Sequence, residues 1–307
     1  GGQRVMAAAR RLRQLLGAGR LVQMPCCYDA LSARLVEEAG FPLTFVSGFG
    51  AAAAKGLPDT GLVSFGEMRD TMRSVVEALE STERKIPCIG DGDTGYGNAV
   101  NAKRTVTAYA RAGLAGIMIE DQVSPKRCGH TRDKAVVPFD EAVSRVKAAV
   151  DAAREASEDS NSAIVIVART DARATDGMDE ALRRCIAFAE VGADVTFLEA
   201  PRSREEMQTY CNGVPGIKMA NLLEGGLTPI LSPAELERIG FTLAAYPFAT
   251  LNPAIVGMRA SLHALKSDGV EARATREQFG LPFEELQRLV GFPQYYEEES
   301  RYKANKK

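Results

Sequence analysis

The sequence of 307 residues predicts an α/β protein whose fold is a closed (β/α)8 barrel, the TIM barrel. Short and almost wholly apolar segments alternate with helical patterns about eight times, as parallel strands covered by helices require. Several helical patterns end in a glycine two residues before the next strand, as at Gly113 and Gly192. A doubly wound sheet is the alternative fold. It is disfavoured because no glycine-rich phosphate-binding turn follows the first strand.

The alternation divides the chain into a barrel at residues 21–266, an N-terminal helical segment at residues 1–20 and a C-terminal helical extension at residues 267–307. The predicted strands are Leu21–Pro25, Leu43–Ser47, Pro87–Gly90, Gly116–Glu120, Ile164–Ala168, Val195–Glu199, Lys218–Asn221 and Thr242–Tyr246. The predicted barrel helices are Ala30–Ala39, Phe65–Leu79, Ala99–Ala112, Asp140–Ala156, Met178–Val191, Arg204–Cys211, Pro233–Ile239 and Pro253–Lys266. Two short amphipathic helices, Gln278–Gly291 and Tyr295–Tyr302, are predicted in the extension, with a turn at Gly280-Leu281-Pro282.

The composition excludes several classes of protein. Apolar residues make up 45% of the chain and charged residues 25%, which is average for a globular protein. The net charge of −2 gives no basic excess for binding nucleic acid. No apolar run is long enough to span a membrane. The six cysteines lack metal-binding spacing and only two histidines exist, so we expect reduced thiols and no zinc site. We therefore expect an intracellular protein, in the cytoplasm unless a leader to an organelle was removed.

Polar residues collect where the predicted strands end. In a TIM barrel the active site lies at the carboxyl ends of the strands. The residues at these ends, in chain order, are Tyr28, Asp29, Ser47, Gly48, the segment Asp91–Gly97, Glu120, Asp121, Arg169, Thr170, Asp171, Glu199, Asn221 and Glu224. At least six strands would thus direct functional groups to one mouth of the barrel.

The densest group of these residues is the segment Asp91–Gly97, with carboxylates at Asp91 and Asp93 and glycines at alternate positions. Alternate carboxylates at a strand end can face one cavity. Together with Glu120 they offer three hard oxygen donors, which suits Mg²⁺ or Mn²⁺ that keeps several water ligands. The alternative interpretation is a glycine-rich turn with solvated aspartates.

A second group is Lys126-Arg127-Cys128-Gly129-His130, in the long loop of residues 122–138, here called the Cys128 loop. Loops of this length in a barrel are usually functional lids or disordered. Basic neighbours stabilise a thiolate, so Cys128 is a candidate for proton exchange near neutral pH. The alternative is a mobile basic loop with an incidental cysteine. Arg169, at the end of an apolar strand, is expected to face an anion because an unpaired buried charge is costly.

These motifs resemble those of the isocitrate lyase/phosphoenolpyruvate mutase superfamily, over a stretch from about Leu21 to Lys266. The segments that carry the resemblance are Gly56–Asp59, Asp91–Asn98, Glu120–Gln122, Lys126–His130, Ala168–Arg173 and Asn221–Gly226. The resemblance implies a (β/α)8 barrel whose eighth helix is exchanged between subunits, in a homotetramer built as a dimer of dimers. It also implies Mg²⁺ that holds a small 2-oxo or 2-hydroxy carboxylate.

The resemblance also implies roles for residues at matching positions. Asp93 would contact the metal directly, and Asp91 and Glu120 would do so through water. The backbone at Ser47, Gly48 and Phe49 would hold the substrate carboxylate, with Arg169 adding charge. Cys128 would be the general acid, with Lys126, Gly129 and His130 beside it on the same loop. The remaining residues around the ligand would be Tyr28, Asp59, Glu199, Asn221, Thr228 and Pro247.

The cysteine in the loop indicates the short carbon–carbon lyases of the superfamily, such as 2-methylisocitrate lyases, 2,3-dimethylmalate lyases and petal-death-type proteins, because phosphoenolpyruvate mutases typically have asparagine there. The expected reaction is cleavage of a 2-hydroxy di- or tricarboxylate to a 2-oxo acid and a carboxylate, with Tyr28 or a metal-linked carboxylate as the base. Pro247 disfavours an oxaloacetate acetylhydrolase, since those enzymes tend to have serine there. A carboxyphosphonoenolpyruvate-type phosphonomutase is another alternative. An inactive barrel used for binding is disfavoured by the complete set of site residues.

Overall fold

Parallel strands close into a barrel in the computed structural model, which describes residues 2–130, 133–157, 159–267 and 269–303. In this part of the chain the strands are β1 (Val22–Cys27), β2 (Thr44–Val46), β3 (Cys88–Asp91), β4 (Gly116–Glu120), β5 (Val165–Thr170), β6 (Val195–Leu198), β7 (Ile217–Asn221) and β8 (Leu243–Tyr246). Each strand pairs with the next one, and β1 pairs with β8 through Val22 and Leu243. The predicted TIM barrel is confirmed.

The helices of the described residues follow the predicted rhythm. They are α1 (Gly2–Leu16), α2 (Ala30–Glu38), α3 (Gly48–Ala54), α4 (Phe65–Glu80), α5 (Ala99–Ala112), α6 (Phe139–Glu155), α7 (Ala172–Thr175), α8 (Met178–Glu190), α9 (Arg204–Gly213), α10 (Pro233–Ile239), α11 (Leu251–Leu265), α12 (Val270–Gln278), α13 (Phe283–Val290) and α14 (Phe292–Arg301). The short helices α3 and α7 were not predicted, because neither is long enough to show a helical repeat of apolar residues.

Within the C-terminal extension the predicted turn at Gly280-Leu281-Pro282 is confirmed, but the predicted helix bounds were wrong. The predicted helix Gln278–Gly291 is divided, since α12 ends at Gln278 and α13 begins only at Phe283, after Pro282 at its N-cap position. Proline restricts the residue before it to extended backbone, which explains the break. The outermost residues of the two predicted terminal segments, residue 1 and residues 304–307, lie outside the described residues, as do residues 131–132 of the Cys128 loop.

The inside of the barrel is a packed apolar core that α1 closes at its amino-terminal end. Side chains from all eight strands form one buried cluster, and Leu12 and Leu16 of α1 belong to it. Arg13 of α1 donates to Asp194 at 2.6 Å, which fixes the helix at the amino end of β6. Among the described residues, α1 thus blocks the amino-terminal end of the barrel, and the carboxyl ends of the strands are the side from which a ligand can approach.

The described chain forms two compact units, Gly1–Leu251 and Asn252–Lys307. The first unit holds the strands, with α2, α4, α5, α6, α8, α9 and α10 packed around them. The eighth barrel helix, α11, belongs to the second unit almost entirely. The predicted division at residue 266 stays a prediction. In the described residues, no helix is long and apolar enough to cross a membrane.

Candidate active site

The carboxyl ends of the strands surround a cavity with a free volume of about 60 Å³. The predicted site residues that line it are Ser47, Phe49, Asp59, Asp91, Lys126, Cys128, Gly129, His130, Arg169, Glu199, Asn221 and Pro247. Gly48, Asp93 and Glu120 do not line the cavity, but each contacts a residue that does. Tyr28 and Thr228 are not part of the cavity wall.

The first turn of α3 lies against the acidic pair, the name used here for Asp91 and Asp93. Ser47 caps α3 by accepting from the Gly50 backbone N–H at 3.1 Å. The Gly48 N–H donates to Asp91 Oδ2, also at 3.1 Å. A Cβ atom at position 48 would lie 2.6 Å from that oxygen, so only glycine lets the backbone approach this carboxylate.

The turn that carries the acidic pair has an unusual backbone. Asp93 and Tyr96 have φ angles of 47° and 61°, a left-handed region that side chains other than glycine rarely adopt. Helix α5 holds this turn in place, because Tyr109 donates to the Asp91 carbonyl at 3.0 Å and Thr105 to the Gly95 carbonyl at 3.1 Å. Backbone strain kept by surrounding structure is characteristic of functional sites.

The carboxylates here fit a cation. Burial, with the charge of Asp93 adding to it, raises the pKa of Asp91 to about 6. Burial also raises the pKa of Glu120, and its Oε1 atom has no hydrogen-bond partner among the described residues. No three His, Cys, Asp or Glu side chains in the described part of the chain converge closely enough to hold a metal by themselves. This donor set therefore fits an ion such as Mg²⁺ that takes other ligands from water and substrate.

The Cys128 loop lies over this acidic pair. Lys126 Nζ is 2.5 Å from Asp59 Oδ1 and 2.9 Å from Asp93 Oδ1, and the lysine side chain is only 6% exposed. Asp59 belongs to the segment between α3 and α4, so the ion pair joins two loops from neighbouring parts of the barrel mouth. Burial by itself would lower the pKa of Lys126. The negative charges of Asp93, Asp91, Glu120 and Asp59 outweigh this effect and raise it.

His130 connects the Cys128 loop to the opposite side of the mouth. Its Nδ1 atom accepts from the Leu227 backbone N–H at 3.0 Å, so the proton of the neutral ring is on Nε2. Nε2 lies 3.1 Å from Glu199 Oε1 and donates to it. Burial alone would raise the pKa of Glu199, but Arg169 and His130 lower it to about 2. Glu199 is therefore an ionised carboxylate inside the site.

The thiol of Cys128 is protonated in this arrangement. Burial raises its pKa, and Asp59 and Glu199 add to the effect. The prediction that basic neighbours stabilise a thiolate was wrong, because Lys126 faces carboxylates and His130 faces Glu199. A thiol that keeps its proton at neutral pH is nevertheless the form that a general acid needs.

Arg169 faces carboxylates on several sides. It donates to Asp171 through Nε at 2.9 Å and Nη2 at 3.0 Å, and it lies 3.4 Å from Glu120 and 3.2 Å from Glu199. Lys134 also donates to Asp171, at 2.9 Å. Neither Lys134 nor Asp171 was among the predicted site residues. Asp171 was recognised as a polar residue at the end of the fifth strand and within the motif Ala168–Arg173, but it was assigned no role.

An apolar wall completes the cavity and was largely missed by sequence analysis. Phe49 and Phe248 pack with ring centroids 5.0 Å apart. The other apolar side chains of the cavity wall are Phe45, Met118, Phe197, Met219 and Leu223. Four of them also belong to the barrel core or its boundary, so their pattern in the sequence is that of ordinary core residues.

The arrangement corresponds to a known family. The family described as phosphoenolpyruvate phosphomutase matches residues 12–266. The chain belongs to this family. The resemblance inferred from the motifs is thus confirmed, and so is the prediction of an enzyme on the carbon–carbon lyase branch of the phosphoenolpyruvate mutase/isocitrate lyase superfamily.

Relatives in this family carry several activities. The chain is 40% identical over 298 residues to a 2,3-dimethylmalate lyase of Eubacterium barkeri, covering 97% of this chain and 99% of the relative. It is also 40% identical over 298 residues to a chloroplastic carboxyvinyl-carboxyphosphonate phosphorylmutase of Arabidopsis thaliana, covering 95% and 84%. A 2-methylisocitrate lyase of Bacillus subtilis is 35% identical over 261 residues, covering 85% and 82%.

Solved structures in the same family share the whole fold. An oxaloacetate acetylhydrolase in complex with the inhibitor 3,3-difluorooxalacetate superposes with a TM-score of 0.87 and is 34% identical, covering 96% of this chain and 97% of the other. A 2,3-dimethylmalate lyase gives a TM-score of 0.85 at 35% identity, covering 96% and 95%. A phosphonopyruvate hydrolase complex with oxalate and Mg²⁺ gives 0.82 at 28% identity, covering 96% and 99%.

Proposed function

We propose that the protein is a Mg²⁺-dependent lyase that cleaves an alkyl-substituted malate to a 2-oxo acid and a second carboxylate. The observation that carries the proposal is the position of the Cys128 thiol, whose pKa desolvation raises, in the same cavity as Arg169 and Asp91. This combination provides an acid, a cation for a carboxylate and an acidic site for a metal. The lyase relatives and the complex of a phosphonopyruvate hydrolase with oxalate and Mg²⁺ support the proposal.

We assign the binding residues the roles that the family resemblance implies. Asp91, Asp93 and Glu120 would hold Mg²⁺. The bound metal would supply positive charge beside the substrate oxygens, where negative charge develops during cleavage. The backbone of residues 47–49 and the guanidinium of Arg169 would bind the substrate carboxylate.

The bond between C2 and C3 breaks after a base removes the proton of the 2-hydroxyl group. C2 becomes the carbonyl carbon of the 2-oxo acid, and the electron pair of the broken bond stays on C3, beside its carboxylate. Cys128 then donates its thiol proton to C3. We assign the base to a carboxylate of the acidic pair, because Tyr28 lies outside the cavity wall and burial raises its pKa. The proton taken from the hydroxyl group balances the one that Cys128 gives up.

The apolar wall supports an alkyl substituent on the substrate. Phe49, Phe248 and Leu223 form an apolar part of the cavity wall. The lysine and arginine side chains among the described residues of this wall are Lys126, Arg127 and Arg169, and Lys126 already pairs with two aspartates. The wall therefore offers little unpaired positive charge. A dicarboxylate with apolar substituents fits such a wall better than a tricarboxylate does.

Two other reactions are plausible outcomes within the family. Oxaloacetate hydrolysis is favoured by the similarity to an oxaloacetate acetylhydrolase but disfavoured by Pro247, whose nitrogen has no hydrogen to donate to a hydrated ketone. Phosphonomutase chemistry is favoured by the Arabidopsis relative.

The oligomer we propose is a homotetramer made of two dimers that exchange α11. The barrel unit lacks an eighth helix of its own, and α2 exposes Leu31 and Leu35, at 44% and 43%. In the second unit, Val256, Met258, Leu262 and Leu265 of α11 are each more than half exposed. Light scattering coupled to gel filtration should give four chains, and Met258→Lys should reduce that number. A monomeric wild-type protein would contradict the exchange.

The experiment that tests the activity measures 2-oxo acid release with Mg²⁺ from 2,3-dimethylmalate, 2-methylisocitrate and oxaloacetate. We expect cleavage of 2,3-dimethylmalate that is abolished by EDTA and strongly reduced in Cys128→Ser. Cys211→Ser, a second partly exposed cysteine on α9, is the matched control. Oxalate formed from oxaloacetate at a higher rate would favour the hydrolase. Absence of any product would overturn the lyase proposal.

A further inference from the structure

Lys134 is a buried lysine at the far end of the Cys128 loop. Its side chain is 2% exposed, and Nζ donates to two acceptors, Asp171 Oδ1 at 2.9 Å and the Gly129 carbonyl. A buried ammonium group needs such partners because its desolvation is costly. Lys134 therefore contacts Gly129, the residue next to Cys128 in the chain.

Asp171 is a fixed partner for this lysine. It is fully buried, and its own N–H donates to Asp121 Oδ1 at 2.9 Å, which fixes it to the end of β4. Its carboxylate accepts two hydrogen bonds from Arg169. One carboxylate thus serves two cations, Arg169 on the barrel and Lys134 on the Cys128 loop.

The loop backbone also contacts Arg169 from the other side. A Cβ atom at Gly129 would lie 2.4 Å from Arg169 Nη2 and 2.6 Å from Glu199. Gly129 therefore packs against Arg169 while its carbonyl accepts from Lys134. The position of the Cys128 loop and the orientation of Arg169 depend on each other through these contacts.

We propose that Lys134 is a positioning residue that, through Asp171, couples closure of the Cys128 loop to the orientation of the substrate-binding Arg169. When the loop is closed, Asp171 is held by both cations, and Arg169 is held against Gly129 in the cavity wall. When the loop opens, Lys134 leaves and Asp171 has Arg169 as its one cationic partner. The inference rests on the proposed lyase function, since it assigns Arg169 to the substrate carboxylate.

The test compares Lys134→Met, Lys134→Arg and the matched control Lys103→Met, whose lysine forms an exposed ion pair with Glu155. We expect Lys134→Met to lower kcat for 2-oxo acid release by about 100-fold, because misplaced catalytic groups cost that much. KM should change much less, and Lys134→Arg should recover at least a tenth of the activity. Lys103→Met should stay within a factor of two of the wild type.

Loop closure can be followed separately, because the chain has no tryptophan. Leu227→Trp places a single reporter where His130 contacts the β7–α10 loop. With Mg²⁺ and oxalate as the probe, the fluorescence of this variant should change, and Lys134→Met in the same background should abolish the change. Lys134→Arg should restore it in part, which a lysine needed only for folding would not explain.

The outcomes separate the two proposals. If Lys134→Met matches Lys103→Met in both kcat and fluorescence response, the coupling is wrong and the lyase proposal stands. If the wild type releases no 2-oxo acid from any substrate, the lyase proposal fails, and the fluorescence response to oxalate alone decides the role of Lys134. A fluorescence change that survives in Lys134→Met contradicts the coupling in either case.

Discussion

Lys126 Nζ lies 2.5 Å from Asp59 Oδ1, and this ion pair joins the Cys128 loop to the segment between α3 and α4. Both side chains are at least nine-tenths buried. Removal of one partner from a buried pair leaves the other charge uncompensated, which makes such contacts sensitive to substitution.

Asp59→Asn should therefore favour the open Cys128 loop. We expect kcat to fall by about 10- to 100-fold, because Lys126 and Cys128 are no longer held over the cavity. Hydrogen exchange of the peptide covering residues 122–138 should become faster. Asp70→Asn, which removes an exposed ion pair with Arg69, is the control. Unchanged exchange in Asp59→Asn would show that the ion pair does not hold the loop.

Cys128→Ser should lower the rate of 2-oxo acid release by about 10²- to 10⁴-fold, the usual contribution of a positioned acid. Because burial raises the pKa of the thiol, the acid form persists through neutral pH. The wild-type rate should therefore be independent of Cys128 titration at pH 7 and decline only as the pH rises through the raised pKa. A rate that declines below pH 8 through loss of a thiol proton would contradict this assignment.

Glu199 should make stability depend on pH in the acid range. Its pKa is lowered to about 2, whereas a glutamate in an unfolded chain titrates near 4.3. The resulting stabilisation, on the order of 3 kcal/mol, is present above about pH 4.3 and is lost as the pH falls toward 2. In urea denaturation, the free energy of unfolding of Glu199→Gln should be lower than that of the wild type at pH 7. The difference should shrink below pH 4. Glu77→Gln, at an exposed position, should show no such deficit.

Gly48→Ala should weaken the response to Mg²⁺. The added Cβ would lie 2.6 Å from Asp91 Oδ2, so the Asp91 carboxylate would have to move from its present position beside Asp93. We expect the Mg²⁺ concentration for half-maximal activity to rise at least 10-fold. Gly66→Ala, in α4 with its nearest neighbour atom 4.0 Å away, is the control. If the Mg²⁺ dependence of the activity is unchanged, Asp91 does not take part in metal binding.

Strand ends were the part of the site that the sequence could predict. Asp91, Glu120 and Asn221 each occupy the last position of a strand, so the rule that barrel active sites lie at carboxyl ends located them without knowledge of the fold's details. The same rule located Arg169, which lies one residue before the end of β5.

Contacts between distant loops could not be predicted. The sequence places Lys134 in a long loop that has no repeating pattern, so nothing indicated its contact with Asp171. The protonation of Cys128 was missed for a related reason. Lys126 and His130 are neighbours of Cys128 in sequence, but their side chains face Asp59, Asp93 and Glu199, which come from other segments of the barrel mouth. Apolar residues such as Phe197 belong both to the barrel core and to the cavity wall, so their sequence pattern is that of core residues.

The helix α1 that fills the amino-terminal end of the barrel has a kinetic consequence. With Leu12 and Leu16 packed into the interior, the described residues leave the site open at the carboxyl ends of the strands, where the Cys128 loop, the proposed lid, lies. Both products must depart through the opening by which the substrate entered. While the loop stays closed, the two fragments remain side by side and can recombine, so net turnover cannot exceed the rate at which the loop opens.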